Sequence, residues 1–287
     1  MTRALSVVIA AKDAADTLPA QLEALVSQHW PNGGEIIVAD NGSNDGTVAA
    51  ASRFTSAIVP VTIVDASAIE GAGHARNRGV EASTNPYIAF CDADDVVDGE
   101  WVRSLTSALD EAPAVGGRLD LTKLNPQWVV ESRGQFHEAD ELPRFDGRFP
   151  VLSSCNLGIQ REVFDSVGGF DESYLRGQDA ELSLRLHKSG VPMHFARDAV
   201  VHYRMRSGLR SIYRQAHSWG AVQHRIRQTS PDSPTIDRMA TLRSWSWLLA
   251  HPHYLATEAG RARLAYVAGI RVGTANARRA SRTRQRR

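Results

Sequence analysis

The first third of the chain alternates short apolar runs with stretches whose apolar positions recur at helical spacing. The runs have the length of buried strands, and the stretches between them carry an apolar residue every three to four positions. Four strands are predicted, at Leu5–Ala11, Glu35–Ala39, Val61–Val64 and Tyr87–Phe90, and four helices, at Thr17–Gln28, Thr47–Phe54, Gly73–Ala82 and Gly99–Glu111. This alternation predicts an α/β fold with a mainly parallel central sheet and helices on both faces.

Beyond residue 112 the pattern becomes less regular, and towards the C-terminus it becomes helical. Residues 116–150 alternate in patches that predict extra strands and a loop. A strand is predicted at Val151–Gln160, and helices at Arg161–Val167, Asp179–Lys188, Ile212–Ile226, Thr235–Ala250 and Thr257–Val272. We therefore expect a domain over residues 1–214 (halves 1–112 and 113–214), a helical C-terminal extension over 215–275 and a basic tail over 276–287.

The charge of the chain is unevenly distributed, although the formal net charge is only +1. No acid follows Glu258, whereas nine arginines do, so residues 1–258 carry 24 basic residues against 32 acids, a net of −8. An acidic body is not typical of a nucleic-acid-binding domain, and no nucleic-acid partner is expected. The arginine-rich end is typical of a disordered, solvated tail, and docking on anionic lipid is the alternative.

The cysteine content and the hydropathy of the chain indicate the cellular compartment of the protein. Cys91 and Cys155 are too few for a disulfide framework and are expected to be buried in a reducing environment. The apolar N-terminal stretch is interpreted as a strand rather than a signal peptide, and no stretch approaches the roughly 20 apolar residues that span a bilayer. A cytoplasmic location is predicted, with peripheral contact to the inner membrane face through the basic tail as a further hypothesis.

An acidic cluster, Asp92-Ala93-Asp94-Asp95, comes almost directly after the predicted strand Tyr87–Phe90. The carboxyl ends of strands in open α/β sheets line the ligand crevice. Carboxylates this close repel one another unless a cation holds them ionised, and Mg²⁺ or Mn²⁺ prefers such oxygen ligands. Alone, the cluster is typical of a solvated loop, and a metal site is the alternative that the other polar segments of the chain support.

Two loops of glycine and polar residues precede predicted helices. Asp40 ends the second strand and leads into Asn41–Thr47, where it could accept bonds from a base or sugar or simply belong to a capped turn. Gly71–Asn77 could bring Arg76 and backbone donors to a phosphate. This second loop is neither a Walker loop nor a dinucleotide fingerprint.

Two further groups of polar residues lie later in the chain. Asp179 follows Gly177-Gln178 at a predicted helix start, where it could be an N-cap or a general base. His202 precedes several arginines; a histidine can ligate a divalent metal and arginines can clamp a diphosphate. Solvated or interface residues are the alternative for this group.

These segments, in this order, resemble the inverting family-2 glycosyltransferases, which have the Rossmann-like GT-A fold. The resemblance covers about residues 5–214. It rests on Leu5–Ala10, Asp40–Thr47, Ala75–Asn77, Asp92–Asp95, Gly168–Glu172 and Gly177–Leu182. It implies an enzyme that moves a sugar from a UDP-, GDP- or dTDP-sugar to a hydroxyl of a carbohydrate, lipid-linked or small-molecule acceptor, with Mn²⁺ or Mg²⁺ as cofactor.

The resemblance also implies roles for single residues. Asp179 would be the catalytic base, and Asp94 and His202 would bind the metal. Nucleotide-sugar contacts are implied for Ala11, Asp13, Asp40, Gly73, Arg76, Asp92 and Ala93, with Asp40 at the base and Asp92 at the ribose. Contacts to diphosphate or acceptor are expected for Gln178, Arg204, Arg206 and Arg210.

Departures from the family pattern define the alternatives. Gln178 stands where the family commonly has glutamate, and Asn41 stands where it commonly has a second aspartate. A degenerate sugar-binding or scaffold protein is therefore an alternative. Gln215–Trp219 lacks the arginine of the Gln-x-x-Arg-Trp segment of processive synthases, so transfer of a single sugar is expected. A nucleotidyltransferase would need a glycine-rich basic loop after the first strand, where Ala10–Asp13 offers one lysine and no glycine.

Overall fold

The computed structural model describes residues 3–30, 33–133, 141–229 and 255–285. They fall into two compact units, one bounded by Met1–Lys123 and His137–Arg204, the other by Leu124–Phe136 and Met205–Arg287. The predicted helix Thr235–Ala250 lies outside the described residues.

The first unit is built on an eight-stranded sheet. Its strands are β1 (Leu5–Ala11), β2 (Glu35–Asp40), β3 (Val61–Asp65), β4 (Tyr87–Asp92), β5 (Val96–Val97), β6 (Ala114–Asp120), β9 (Asn156–Gln160) and β10 (Met193–His202), and β7 (Arg144–Phe145) pairs separately with β8 (Phe149–Pro150). The strand order is β3-β2-β1-β4-β9-β6-β10-β5, and only β9 and β5 run antiparallel to their neighbours. The predicted mainly parallel α/β sheet is thus confirmed.

Helices cover both faces of this sheet, because alternate side chains of each buried strand point to opposite sides. The helices of this unit are α1 (Leu18–Val26), α2 (Thr47–Ser52), α3 (Ala72–Glu81), α4 (Trp101–Glu111), α6 (Arg161–Ser166) and α7 (Gln178–Lys188). On β1, Val7 and Ile9 join the apolar cluster with α1, α2 and α4, whereas Val8 joins the cluster with α3, α6 and α7. Such two-sided burial explains why the strands have continuous apolar sequences.

The second unit is helical. It contains α5 (Gln127–Arg133), α8 (Leu209–Gln228) and α9 (Glu258–Gln285). Glycines let α8 and α9 approach closely: a Cβ on Gly220 would lie 2.1 Å from the Ile270 carbonyl oxygen, and one on Gly273 would lie 1.9 Å from that of His217. Arg133 of α5 stacks over the Tyr266 ring at 4.4 Å. The predicted C-terminal helical segment is present.

Two of the predicted element boundaries differ clearly from the structure. The strand expected from Val151 begins only at Asn156, because a turn closed by the Asn156 N–H and the Ser153 carbonyl precedes it. The tail expected to be disordered from residue 276 is helical to Gln285. Alanine and arginine, which make up most of that stretch, are both strong helix formers, and α9 packs on α8. Among the described residues, no helix is long and apolar enough to cross a membrane.

Candidate active site

Strand register brings the polar strand ends of the first unit to one edge of the sheet. Ala11 at the end of β1 is paired with Asp40 at the end of β2, and Asp40 with Asp65 at the end of β3. On the other side of β1, Ala10 is paired with Asp92 at the end of β4. Asp40 and Asp92 therefore flank the end of β1, at the edge where doubly wound sheets bind ligands.

The loops after β1 and β2 hold each other in place. Asp13 has a left-handed backbone with φ of 49°, its N–H donates to Ser43 Oγ (2.9 Å), and its carboxylate accepts the Asn44 N–H (2.8 Å). The Ser43 hydroxyl in turn donates to Asp40 Oδ1 at 2.5 Å. These bonds fix the orientation of the Asp40 carboxylate and join the two loops along one side of the site.

Asn41 joins the β2 end to the loop that leads into α3. Its Nδ2 donates to the carbonyls of Ala66 (2.6 Å) and Ile69 (2.8 Å), and its Oδ1 accepts the Gly71 N–H (2.8 Å). An aspartate has no N–H and could not make the first two bonds. These hydrogen bonds between the loops therefore explain why position 41 has asparagine rather than aspartate.

Arg76 is a buried cation on α3. Only 3% of its side chain is exposed, its Nη2 donates to Asp92 Oδ1 at 2.6 Å, and its guanidinium lies 5.6 Å from the Phe170 ring centroid. Its Nε and Nη1 have no hydrogen-bond partner among the described residues. Buried N–H donors without partners cost free energy, so this cation is suited to receiving a further anionic group.

A hydrogen-bonded cluster joins α3 to the loop before α7. His74 Nδ1 lies 2.9 Å from Glu172 Oε2, and Asn77 Nδ2 donates to Glu172 Oε1 at 2.9 Å. Asn77 also exchanges two hydrogen bonds with the backbone of Phe170. The sequence analysis assigned no role to His74 or Glu172; the two segments are 98 residues apart, and only the folded chain brings them together.

The acidic cluster after β4 contains one fully buried carboxyl group. Asp95 Oδ1 accepts the Arg204 N–H at 2.7 Å, whereas its Oδ2 has no partner among the described residues. Arg204 Nε also donates to the Asp94 carbonyl at 2.8 Å. Burial, together with the charges of Asp92 and Asp94, raises the pKa of Asp95 well above its usual value. The predicted residues Asp94 and Arg204 are thus in direct contact.

One set of ligating atoms in the described residues has the spacing of a metal site. Oxygens of Asp92 and Asp95 and the sulfur of Cys155 lie within 4.8 Å of one another. The carboxylates, one of them with an unpartnered oxygen, fit a hard divalent cation. The thiol does not, because burial raises the pKa of Cys155 well above its usual value. Neither Asp94 nor His202 is a member of this set.

His202 instead lies in a separate charged cluster. Its Nδ1 is 2.7 Å from Asp120 Oδ2, and its Nε2 is 3.3 Å from Asp98 Oδ2 and 3.0 Å from Lys123 Nζ. Burial alone would raise the pKa of Asp120, but the bonds from Thr122 and His202 outweigh it and lower that pKa to about 2. Both ring nitrogens of the predicted metal ligand therefore already have protein partners.

Asp179 lies in the first turn of α7. Its Oδ1 accepts the Ala180 N–H at 2.8 Å. Burial raises the pKa of Asp179, and this effect outweighs the opposing backbone bonds and the charge of Arg76. The neighbouring Gln178 is buried, with its Cγ 3.8 Å from the position of a Cβ on Gly73. The first turns of α3 and α7 thus adjoin.

The remaining predicted residues are placed as follows. Ala11 and Ala93 are buried in the first unit. Arg206 and Arg210 belong to the second unit, where both are exposed.

The sequence matches the model of Glycosyl transferase family 2 over residues 6–168. Glycosyltransferase AglE of Haloferax volcanii is 27% identical over 263 residues, which cover 90% of this chain and 85% of that protein. The mannosyltransferase PcManGT of Pyrobaculum calidifontis, solved with GDP-Man and Mn²⁺, superposes with a TM-score of 0.62 at 16% identity over 94% of this chain and 87% of that one. S. aureus TarS with UDP-GlcNAc gives a TM-score of 0.56 at 15% identity over 77% and 66% of the two chains.

The structural matches support the GT-A fold, and the sequence match covers more than half of the chain. The chain is therefore a glycosyltransferase that belongs to glycosyl transferase family 2.

Proposed function

We propose that this enzyme transfers one sugar from a nucleotide-diphosphate sugar to an acceptor hydroxyl with inversion at the anomeric carbon. The observation that carries the proposal is Arg76, a buried cation beside Asp92 with two N–H donors that have no partner in the described part of the chain. An anionic diphosphate at this edge would satisfy those donors by charge-assisted hydrogen bonds. The nucleotide sugars bound by PcManGT and TarS belong to the same ligand class.

The donor would bind along the ends of β1, β2 and β4. Asp40, oriented by Ser43, would accept bonds from the nucleotide base, and Asp92 would meet the ribose. Ala11, Asp13, Gly73 and Ala93 would form the backbone surface around the nucleotide sugar. The pairing of Ala11 with Asp40 supports this assignment, because it brings the two loops to one edge.

A divalent cation, Mn²⁺ or Mg²⁺, fits the carboxylates of Asp92 and Asp95, and the neighbouring Asp94 is proposed as a further ligand. It would neutralise charge that develops on the leaving diphosphate. The raised pKa of Asp95 and its unpartnered oxygen support this proposal, since the clustered acids repel one another without a cation. His202 was expected to be a further metal ligand, but it is not included in this proposed set, because Asp120 and Asp98 hold its ring nitrogens.

Asp179 is proposed as the general base. Its carboxylate would take the proton of the acceptor hydroxyl while the acceptor oxygen bonds to the anomeric carbon and the bond from that carbon to the diphosphate breaks. The proton then passes from Asp179 to solvent. The raised pKa of Asp179 supports this role, because a base is most effective when its pKa approaches the working pH. A single in-line attack inverts the anomeric centre.

The acceptor contacts and the mode of transfer belong to the same proposal. Gln178, Arg204, Arg206 and Arg210 are proposed to contact the diphosphate or the acceptor, a carbohydrate, lipid-linked or small molecule. Non-processive transfer is supported by the missing arginine in Gln215–Trp219. A cytoplasmic location is supported by Cys91 and Cys155, which are both free and buried.

A thermal-shift screen of UDP, GDP, dTDP, CDP and ADP, each with Mn²⁺, Mg²⁺ or EDTA, tests the donor site. A nucleotide at 100 times its dissociation constant should stabilise the protein by about 2.7 kcal/mol, and we expect one base to respond in a metal-dependent way. The matching nucleotide sugar should then release nucleotide in the presence of acceptor. Nucleotide binding without turnover would instead favour the degenerate sugar-binding protein, for which Gln178 is the remaining argument. A folded protein that responds to no nucleotide would contradict the donor site itself.

A further inference from the structure

The second unit carries basic side chains along both helices of a pair, and several of them lie in the last turns of the two helices. α8 contains four arginines and no acid, and α9 contains seven arginines with Glu258 as its only acid. The high helix propensity of arginine does not explain this composition, because alanine, glutamate and lysine favour an exposed helix about as strongly. The distribution of these charges in the folded unit therefore indicates a partner.

The contacts between α8 and α9 show that the two helices run parallel. Moving along α8, Gly220 meets the Ile270–Thr274 turn of α9, and four residues later His224 Nε2 lies 3.4 Å from Ser281 Oγ. As the position on α8 moves towards its C-terminus, the contacting position on α9 also moves towards its C-terminus. Their C-terminal ends consequently lie side by side.

This parallel arrangement brings the last arginines of both helices together. The basic end, as we call it, is formed by Arg225, Arg227, Arg278, Arg279 and Arg282. Of these, Arg225, Arg278, Arg279 and Arg282 are exposed. His224 lies beside this cluster, and burial, followed by the charges of Arg278 and Arg227, lowers its pKa.

Helix stability accounts for only part of this cluster. One or two cations near a helix C-terminus interact favourably with the macrodipole. Arg278, Arg279 and Arg282 follow one another closely on α9 with no acid in residues 259–285, so these exposed cations also repel one another. An anionic partner would remove that repulsion.

We propose that the basic end docks on an anionic membrane, with the headgroups of acidic phospholipids as its ligands. A nucleic acid fits less well, because single strands bind by stacking on aromatic residues and residues 267–285 contain none. The adjoining ends of two helices also present a compact cluster of charge that suits a surface rather than a groove that follows a phosphate backbone. Docking there would hold the enzyme beside acceptors that are carried in the membrane.

Vesicle co-sedimentation of the full-length protein tests this proposal. We expect retention on phosphatidylcholine vesicles that contain phosphatidylglycerol and none on phosphatidylcholine alone. Raising the salt from about 0.1 M to about 1 M should release the protein, because the Debye length falls from roughly 10 Å to 3 Å. The assay needs neither donor nor acceptor, so its result is independent of the proposed transfer reaction.

The matched variants use three exposed arginines at each end of the helix pair. Arg278→Gln/Arg279→Gln/Arg282→Gln should weaken vesicle binding on the order of 100-fold, about fivefold per arginine. Arg210→Gln/Arg214→Gln/Arg261→Gln removes the same charge from the N-terminal halves and should have little effect. If circular dichroism shows that the first triple variant loses helix, the single variant Arg278→Gln should still weaken binding about fivefold.

Three results would overturn the proposal. The first is no retention of the full-length protein on phosphatidylglycerol vesicles at low salt. The second is an equal loss of binding in the two triple variants, which would indicate attraction by net charge alone. The third is arginine-dependent binding to an oligonucleotide without vesicle binding, which would assign the basic end to a nucleic acid.

Discussion

The two units of this protein organise charge in opposite ways. In the first unit, Asp40 and Asp92 at strand ends and Arg76 on α3 are buried or half-buried, and Ser43 and the Arg76–Asp92 pair hold them in place. In the second unit, arginines are exposed at the ends of two helices whose contact is made by glycines. Buried charges are held in a fixed geometry, which suits catalysis. An exposed cluster acts through the summed electrostatic field of its charges, which suits docking on a charged surface.

The largest effect is expected for the proposed base of the first unit. Asp179→Asn removes proton acceptance and should lower the rate of sugar transfer by about 10²–10⁴-fold, while donor binding measured by thermal shift stays nearly unchanged. Because the folded pKa of Asp179 is raised, the wild-type rate should rise with pH above the usual aspartate range, and the variant should lack that dependence. Asp165→Asn, on an exposed position of α6, is the control. A wild-type rate in Asp179→Asn would show that another group is the base.

A smaller effect is expected when the acidic cluster loses one carboxylate. Asp94→Ala should weaken metal-dependent nucleotide binding at least roughly tenfold, as loss of groups that support a bound metal does. The measurement is titration of the thermal shift with Mn²⁺ at a fixed nucleotide concentration. Asp165→Ala should leave the titration unchanged. An unaltered Mn²⁺ dependence in Asp94→Ala would exclude this residue from the cation site.

Adding one methyl group between α8 and α9 should lower the stability of the second unit. In a free helix, Gly273→Ala would stabilise by about 1 kcal/mol, but here the Cβ would lie 1.9 Å from the His217 carbonyl oxygen. We expect the overpacked variant to lose roughly 1–3 kcal/mol of unfolding free energy in a urea titration followed by circular dichroism. Gly99→Ala, where no atom lies within 4 Å, should cost much less. A stabilised Gly273→Ala would disprove the close helix contact.

The smallest effect concerns the cluster around His202. The pKa of Asp120 is about 2 in the folded protein against 3.8 for an unperturbed group. Its ionised form therefore stabilises the fold above pH 4, and that contribution is lost as the pH falls towards 2. Asp120→Asn should lower the unfolding free energy at pH 7 by about 1–2 kcal/mol and reduce the loss of stability between pH 4 and pH 2. Equal pH dependence in both proteins would argue against the lowered pKa of Asp120 and the bonds from Thr122 and His202 that cause it.

The parts of the site that were predictable are those in which chemistry directly follows a buried strand. The run Leu5–Ala11 is the observed β1, and the acids Asp40 and Asp92 end β2 and β4. A continuous apolar run implies burial on both faces, and the first polar residue after it lies at the sheet edge. The family resemblance, the fold and the enzyme class that these segments indicated are confirmed. The roles of the individual site residues stay predictions.

The partners of each charged group could not be predicted. The unpartnered donors of Arg76 and the enclosure of His202 between Asp98 and Asp120 depend on contacts across many residues of sequence. The same holds for Cys155, which follows no acidic segment and reaches Asp92 and Asp95 only because β9 inserts antiparallel beside β4. Sequence spacing carries no information about such neighbours.

By itself, the sequence determined the alternation of strands and helices, the order of the acidic and glycine-rich segments, and the concentration of arginine at the C-terminus. These follow from local periodicity and composition, which act within a few residues. Only the tertiary structure decided which charges are buried and paired and which are exposed together, including the parallel contact of α8 and α9 that forms the basic end. Burial and pairing depend on strand order and on the close approach of backbones, and these are set by packing of the whole unit.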